Sequence, residues 1–362
     1  MISENFFRSK TAVITLLAAC FVVLISLGVR QTFGMFFINF NESLNISNTA
    51  FGLAIGIQML MWGLTGPIFG AIADKYGGPI AIISAFIFYI LGTYFLYTGP
   101  NTGIFFQIHM GLLIGIGLGG TAISIPMSVV GKHFPLSTRT IAMSFVTAVG
   151  SFGYFLSPIF TNYSLVEFGW NYTLFIFSLF LLTGLIAAYF VRSPSKLESV
   201  EKLSDQSFKE ALAEAFKTKS YILLVSGFFV CGFHITLVGT HVPKYVIDRG
   251  LENWTAAAIL SLIGLFNIFG SLLSGYLSAK MSKKIILSGI YFLRGISIIL
   301  FIFTPASNFS AFLFGASFGF LWLSTVPATS GIVAHMFGTK YLGLLYGIVF
   351  LSHQIGSFFG AY

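Results

Sequence analysis

The sequence predicts an all-α membrane protein made of two six-helix bundles, with eleven transmembrane helices in this chain. Three observations predict it. The composition is too apolar and too poorly charged for a water-soluble core. The apolar residues fall into long runs with short gaps. The two halves of the chain repeat one another at an offset near 205 residues.

Composition sets the class. Of 362 residues, 56% are hydrophobic and 8% charged, with a mean hydropathy of +0.91. An ordinary soluble domain carries roughly 25% charged residues. A helix that crosses a bilayer needs about 20 mainly apolar residues, so the chain has room for about a dozen. A net charge of +8 by itself suits nucleic acid or an anionic surface. Its placement decides the matter. Fifteen of the nineteen Lys and Arg fall in loops or ends on one alternating side, Lys244 and Arg249 on the other, and Arg30 and Arg294 inside apolar runs. That asymmetry is the positive-inside pattern; it places the N-terminus in the cytoplasm and argues against nucleic-acid binding.

The runs cover residues 11–38, 50–73, 79–98, 102–131, 139–162, 171–191, 220–247, 255–279, 284–304, 309–335 and 341–362. The first run outlasts a signal-peptide core and reads as a retained helix. Cys20 and Cys231 lie within runs, which argues against a disulfide framework. The one long polar stretch divides the chain into a first bundle (1–192), a cytoplasmic linker (193–219) and a second bundle (220–362) holding five helices. Within the linker, Ser207 and Glu210 have capping-box spacing, and Phe208, Leu212 and Phe216 recur every fourth residue. This predicts a short amphipathic helix on the membrane surface.

The repeat is seen in two places. Gly70-Ala-Ile-Ala-Asp74-Lys75-Tyr-Gly77-Gly78 follows the second run, and Gly275-Tyr-Leu-Ser-Ala279-Lys280 follows the eighth, 205 residues later. Gly150-Ser151-Phe152 recurs as Gly356-Ser357-Phe358, 206 residues on. Duplication of a six-helix unit explains both. It also gives the expectation that the chain stops before a twelfth helix.

The Gly-x3-Asp-Lys-x-Gly-Gly pattern resembles the signature loop of the major facilitator superfamily, apart from Pro79 where a basic residue is usual and Ala279 in place of the second acid. The resemblance implies a facilitator fold and a gating role for Gly70, Asp74, Lys75, Gly77 and Gly78. Phe134-Pro-Leu-Ser-Thr-Arg139-Thr-Ile-Ala142, continuing to Ala148-Val-Gly150-Ser151-Phe-Gly153, is similar to the fifth-helix signature of monocarboxylate transporters. Arg139 is what remains of its basic cluster, and it joins the gating set. Arg30-Gln-Thr-Phe-Gly34, Thr325-Val-Pro327-Ala-Thr329 and His353-Gln354-Ile-Gly356 look like bacterial, oxalate–formate-antiporter-like members of that group. Those carriers place an Asp and an Arg in the eighth helix, where this chain has Asn267 and Ser271.

All eleven Asp and Glu lie in loops or at ends, yet Arg30 and Arg294 stand in apolar runs. A charge at bilayer depth costs at least about 2.5–3.5 kcal/mol. Backbone carbonyls, water or an anionic substrate must satisfy these two. Arg30 either snorkels to the outer interface or binds the anion; Arg294 either packs on carbonyls or reaches the substrate path. Arginine suits a carboxylate because its planar donors engage both oxygens. His234 and His241, seven apart on one helical face, and His353 are candidates to carry a coupling proton. Gln58, Asn267 and Gln354 are polar groups that either line a path or join helices. Gly111, Gly115 and Gly119 form one stripe for close helix approach, and Pro126 and Pro327 occupy late positions in spans four and ten where they bend helices.

The expected function is secondary active transport of a small organic anion, a monocarboxylate, by alternating access. The substrate-binding set is Arg30, Gln58, His234, His241, Asn267, Arg294, His353 and Gln354. A proton on histidine, the substrate gradient or exchange would drive it. Two other readings are a proton-driven efflux carrier for drugs or amphiphiles, and a non-transporting sensor or scaffold. No enzyme activity, metal or cofactor is expected. The partners expected are the anionic substrate, the proton and the lipid bilayer, for a monomer in a bacterial inner membrane.

Overall fold

The computed structural model describes residues 10–134, 136–192, 208–337 and 342–362. Among the described residues every regular element is helical. The chain forms two compact units, Met1–Glu198 and Ser199–Ala361.

In the first unit α1 is Lys10–Gln31, followed by a 3-10 turn at Phe33–Phe36 and the short α2, Phe37–Leu44. α3 is Asn48–Tyr76, and its N-terminus is capped by Ser47, whose hydroxyl accepts from the Ala50 N–H. α4 is Gly78–Thr98. The next span begins as α5, Ile104–Phe106, widens into a π-helical segment over Gln107–Leu113, and continues as α6, Ile114–Thr121, and α7, Ser124–Gly131. Pro126 explains the interruption between α6 and α7. It has no N–H for the Ala122 carbonyl, and its ring crowds that turn. α8, Leu136–Ala188, turns sharply at Gly169, where φ is 75° and ψ 169°.

In the second unit the linker helix α9 is Phe208–Lys217, with Ala211 and Ala215 buried and Phe216 half exposed. Ser207 of the expected capping box lies outside the described residues. α10 is Lys219–Asp248, α11 Asn253–Lys280, α12 Lys283–Phe303, α13 Asn308–Leu321, α14 Thr325–Phe337 and α15 Leu342–Ala361. Pro327 stands third in α14, as Pro126 does in α7, and the gap after Leu321 has the same origin.

Eight segments among the described residues are long and apolar enough to cross a membrane, and Asn308–Leu321 is a shorter apolar helix. Eleven were expected. The eleventh expected span is present as the 20-residue helix α15 but is not among the eight, and the other two differences have local causes. The fifth and sixth expected spans run together as one helical stretch through Gly169, and the tenth is divided between α13 and α14.

The expected glycine stripe sets helix spacing. A methyl on Gly111 would stand 2.9 Å from the Ala54 carbonyl, and one on Gly115 2.6 Å from the Gln58 carbonyl. The second unit repeats both contacts 204–205 residues later, Gly315 on the Ile259 carbonyl and Gly319 on that of Ile263. Gly169 differs, since nothing stands within 4 Å of a methyl there and only its dihedral angles require glycine. Gly169→Ala is expected to cost about 1–3 kcal/mol through backbone strain alone. A lowered melting temperature with the same helical circular-dichroism signal would show it.

Candidate substrate site

Arg30 lies in the last turn of α1 in the first unit and is 8% exposed. Its Nη2 donates to the Met59 thioether at 3.4 Å, and its Nε has no partner among the described residues. Tyr89 and Tyr154, both buried, are near enough to interact with it electrostatically. The neighbouring Gln31 is 1% exposed, and among the described residues neither of its amide atoms is paired. Gln58, wholly buried, donates to the Met110 carbonyl at 2.9 Å and so joins α3 to the π segment, while its Oε1 stays unpaired. Thioether sulfur is a weak acceptor. The first unit therefore holds a desolvated guanidinium with donors to spare, beside an amide that is also unmatched.

Arg294 in the second unit is fully buried and differently provided for. Its Nε and Nη2 donate to the Leu321 carbonyl at 3.0 and 2.6 Å, Nη2 also reaches the Trp322 carbonyl, and Nη1 donates to Cys231 Sγ at 3.1 Å. The carbonyls that end α13 have no intrahelical partner, and a cation at a helix C-terminus is favourable. Asn267 serves the same gap, its Oδ1 accepting from the Leu323 N–H at 2.9 Å.

The histidines divide. His241 sits 2.9 Å from the Ala361 carbonyl through Nε2. His234 leaves Nδ1 unpaired and is within electrostatic reach of Arg294. His353 has its Nδ1 3.0 Å from Gln354 Oε1 and packs on the Phe228 ring, and Gln354 Nε2 is unpaired. His109 is paired with Asn101 at 3.1 Å and lies against Phe95.

In the loop after α3, Gly77 has φ of +95°, which favours glycine, and a methyl on Gly78 would strike the Val191 carbonyl at 2.6 Å. Gly70 lies against Ile125, and exposed Lys75 stacks on Tyr76. The side chains of Asp74 and Arg139 lie outside the described residues.

A family model described as Major Facilitator Superfamily matches residues 19–361. The chain belongs to the Major Facilitator Superfamily. Members are transporters of small molecules and not enzymes, so this is a multi-pass membrane transporter. The chain is 23% identical over 355 residues to the uncharacterized MFS-type transporter YcxA of Bacillus subtilis, covering 92% of this chain and 82% of that one. It is 23% identical over 359 residues to monocarboxylate transporter 13 of Rattus norvegicus, covering 95% and 79%. In fold it is similar to a bacterial homolog of the human lysosomal transporter Spinster, with a TM-score of 0.74 at 16% identity over 98% of this chain and 81% of the other.

Within this facilitator, sequence reasoning missed three groups. Gln31 stands inside a quoted motif, and its place beside Arg30 was the available signal. Cys231 contacts Arg294, a pairing 63 residues apart that no sequence pattern marks. Ser26, Tyr89 and Thr121 form a hydrogen-bonded cluster: Ser26 Oγ lies 2.7 Å from Thr121 Oγ1, and the Tyr89 hydroxyl donates to the Ser26 carbonyl at 3.0 Å. Adding 205 to Ser26 and Tyr89 gives Cys231 and Arg294, and adding 204 to Thr121 gives Thr325, which lies 3.3 Å from Cys231. The same three helix positions meet in both units, neutral in one and charged in the other.

Proposed function

We propose that this facilitator carries a small organic anion of the monocarboxylate class by alternating access, with Arg30 as the group that receives its carboxylate. One observation carries the reading: Arg30 is a buried guanidinium whose one bonded partner among the described residues is a thioether. A cation so placed is costly until an anion meets it, and the planar fork matches a carboxylate's two oxygens. Gln31 and Gln58 supply nearby unpaired amide atoms. The similarity to a monocarboxylate transporter agrees with this substrate class.

The remaining predicted residues take distinct parts in this reading. Arg294 and Asn267 hold the gap in span ten, His234, His241, His353 and Gln354 are the second unit's polar lining, and Gly70, Asp74, Lys75, Gly77, Gly78 and Arg139 serve the cytoplasmic gate. The architecture inferred is two six-helix bundles joined by a linker at 193–219, with eleven crossings in this chain, reading the Gly169 turn as the end of one crossing and the start of the next. It sits in a bacterial inner membrane with a cytoplasmic N-terminus, as the charge asymmetry indicates, and acts as a monomer.

Uptake of labelled pyruvate, lactate and formate into proteoliposomes tests the substrate class. Loss of a charge-assisted contact is worth about 1.5–3 kcal/mol, so Arg30→Gln should weaken half-saturation by roughly 10- to 150-fold while Arg30→Lys retains part of it. Unchanged uptake in Arg30→Gln would overturn the role of Arg30. Competition by ethidium, a cationic amphiphile, would point to the efflux reading.

A further inference from the structure

Arg294 and its surroundings make a buried cluster that anion recognition at Arg30 does not use. The guanidinium is fully buried, and among the described residues no carboxylate is bonded to it. The carbonyls of Leu321 and Trp322 satisfy its N–H groups but carry no full charge. The acidic group in direct contact is Cys231, 0% exposed, with its sulfur 3.1 Å from Nη1.

The sulfur is met almost wholly by donors. Arg294 Nη1–H points to it, and the Thr325 hydroxyl lies 3.3 Å away. A thiol in that setting has donors aimed at a weak acceptor. A thiolate accepts from both the Arg294 N–H and the Thr325 hydroxyl, and a buried cation is tolerable when paired and hydrogen-bonded. The titratable groups around the sulfur are Arg294 and Tyr291 of α12, and His353 and Tyr346 of α15. His234, one turn along α10, faces Arg294. Thr325 represents α14, and among the described residues α11 places no titratable side chain against the sulfur.

We propose that Cys231 is a membrane-buried proton site, a thiolate paired with Arg294 that takes up and gives back one proton. On release the S–H bond breaks, the electron pair stays on Sγ, and the proton goes to water. The cluster is then neutral; with the proton back on sulfur, and His353 neutral, it carries one positive charge. The site supplies an exchangeable group in a helix interior whose sequence places every Asp and Glu in loops or at ends. The first unit has a serine and a tyrosine at the matching positions, so the device belongs to the second unit alone.

The infrared S–H stretching band of the purified full chain tests this without any substrate, so its outcome is separate from that of the anion reading. Cys20→Ala leaves Cys231 as the sole cysteine, a mild change because a buried Cys behaves as a small apolar residue. In that protein the band should be absent at about pH 8 and appear on acidification to about pH 5. Cys20→Ala/Cys231→Ser sets the zero. Cys20→Ala/Arg294→Gln, where it folds, should show the band at about pH 8 because the stabilising cation is gone. A full band at both pH values in Cys20→Ala overturns the thiolate, and a band at neither overturns the proton exchange.

Discussion

Gly232→Ala and Gly270→Ala should each leave little folded protein. A methyl on Gly232 would collide with the His353 carbonyl oxygen, and one on Gly270 with that of Phe320. In both cases the obstacle is the backbone of a packed helix, α15 or α13, so no side-chain rotation relieves it. Small residues allow such contact because lipid gives no hydrophobic drive toward helix pairing, and packing must hold helices together. Ordinary overpacking costs about 1–3 kcal/mol, and a collision with a carbonyl belongs at or above the top of that range. Gly289→Ala and Gly295→Ala are the controls: nothing lies within 4 Å of either added methyl, and a helix interior gains up to about 1 kcal/mol from Gly→Ala. The monodisperse fraction on size exclusion, with the melting temperature, reads the contrast. Wild-type behaviour of Gly232→Ala would mean that α10 and α15 do not approach so closely.

The features legible in the sequence were those that depend on local pattern. Hydropathy identified the membrane class because lipid imposes it on every span. The stripe of Gly111, Gly115 and Gly119 foretold close approach because residues four apart share a helix face. Pro126 and Pro327 foretold the interruptions because a missing N–H acts within one turn. The gap between the runs 139–162 and 171–191 foretold a turn, but not that helix would continue up to one glycine, Gly169, whose dihedral angles make it.

Pairings across the fold were not legible. Arg294 was a buried cation in need of an acceptor, but its acceptors lie 27, 28 and 63 residues away on other helices. Neither periodicity nor charge singles out two carbonyls and a thiol at that distance. Arg30 posed the same question and the structure answers it differently, with one thioether. Equal-looking arginines thus separate into a provided-for cation and a needy one only when their neighbours are known. The duplication offset turns Arg294 into Tyr89 and Cys231 into Ser26, and the two clusters explain each other.

Arg294→Met should destabilise the second unit by roughly 2–5 kcal/mol, with Arg294→Lys in between. Methionine matches the side-chain volume but abandons the Leu321 and Trp322 carbonyls. Each unsatisfied buried group costs about 1–3 kcal/mol, and the end of α13 loses its compensating cation. The Lys ammonium keeps the charge but is a single point. It cannot serve Leu321, Trp322 and Cys231 together, as the planar guanidinium does. The order expected in melting temperature is wild type, then Lys, then Met. Tyr89→Phe at the matching place in the first unit removes one hydroxyl bond, to the Ser26 carbonyl, and should cost about 0.5–1.5 kcal/mol. If Arg294→Met melts no lower than Tyr89→Phe, the guanidinium is not what holds the gap in span ten, and Asn267, which accepts from the Leu323 N–H, and Ser274, whose hydroxyl donates to the Ser324 carbonyl, secure it instead.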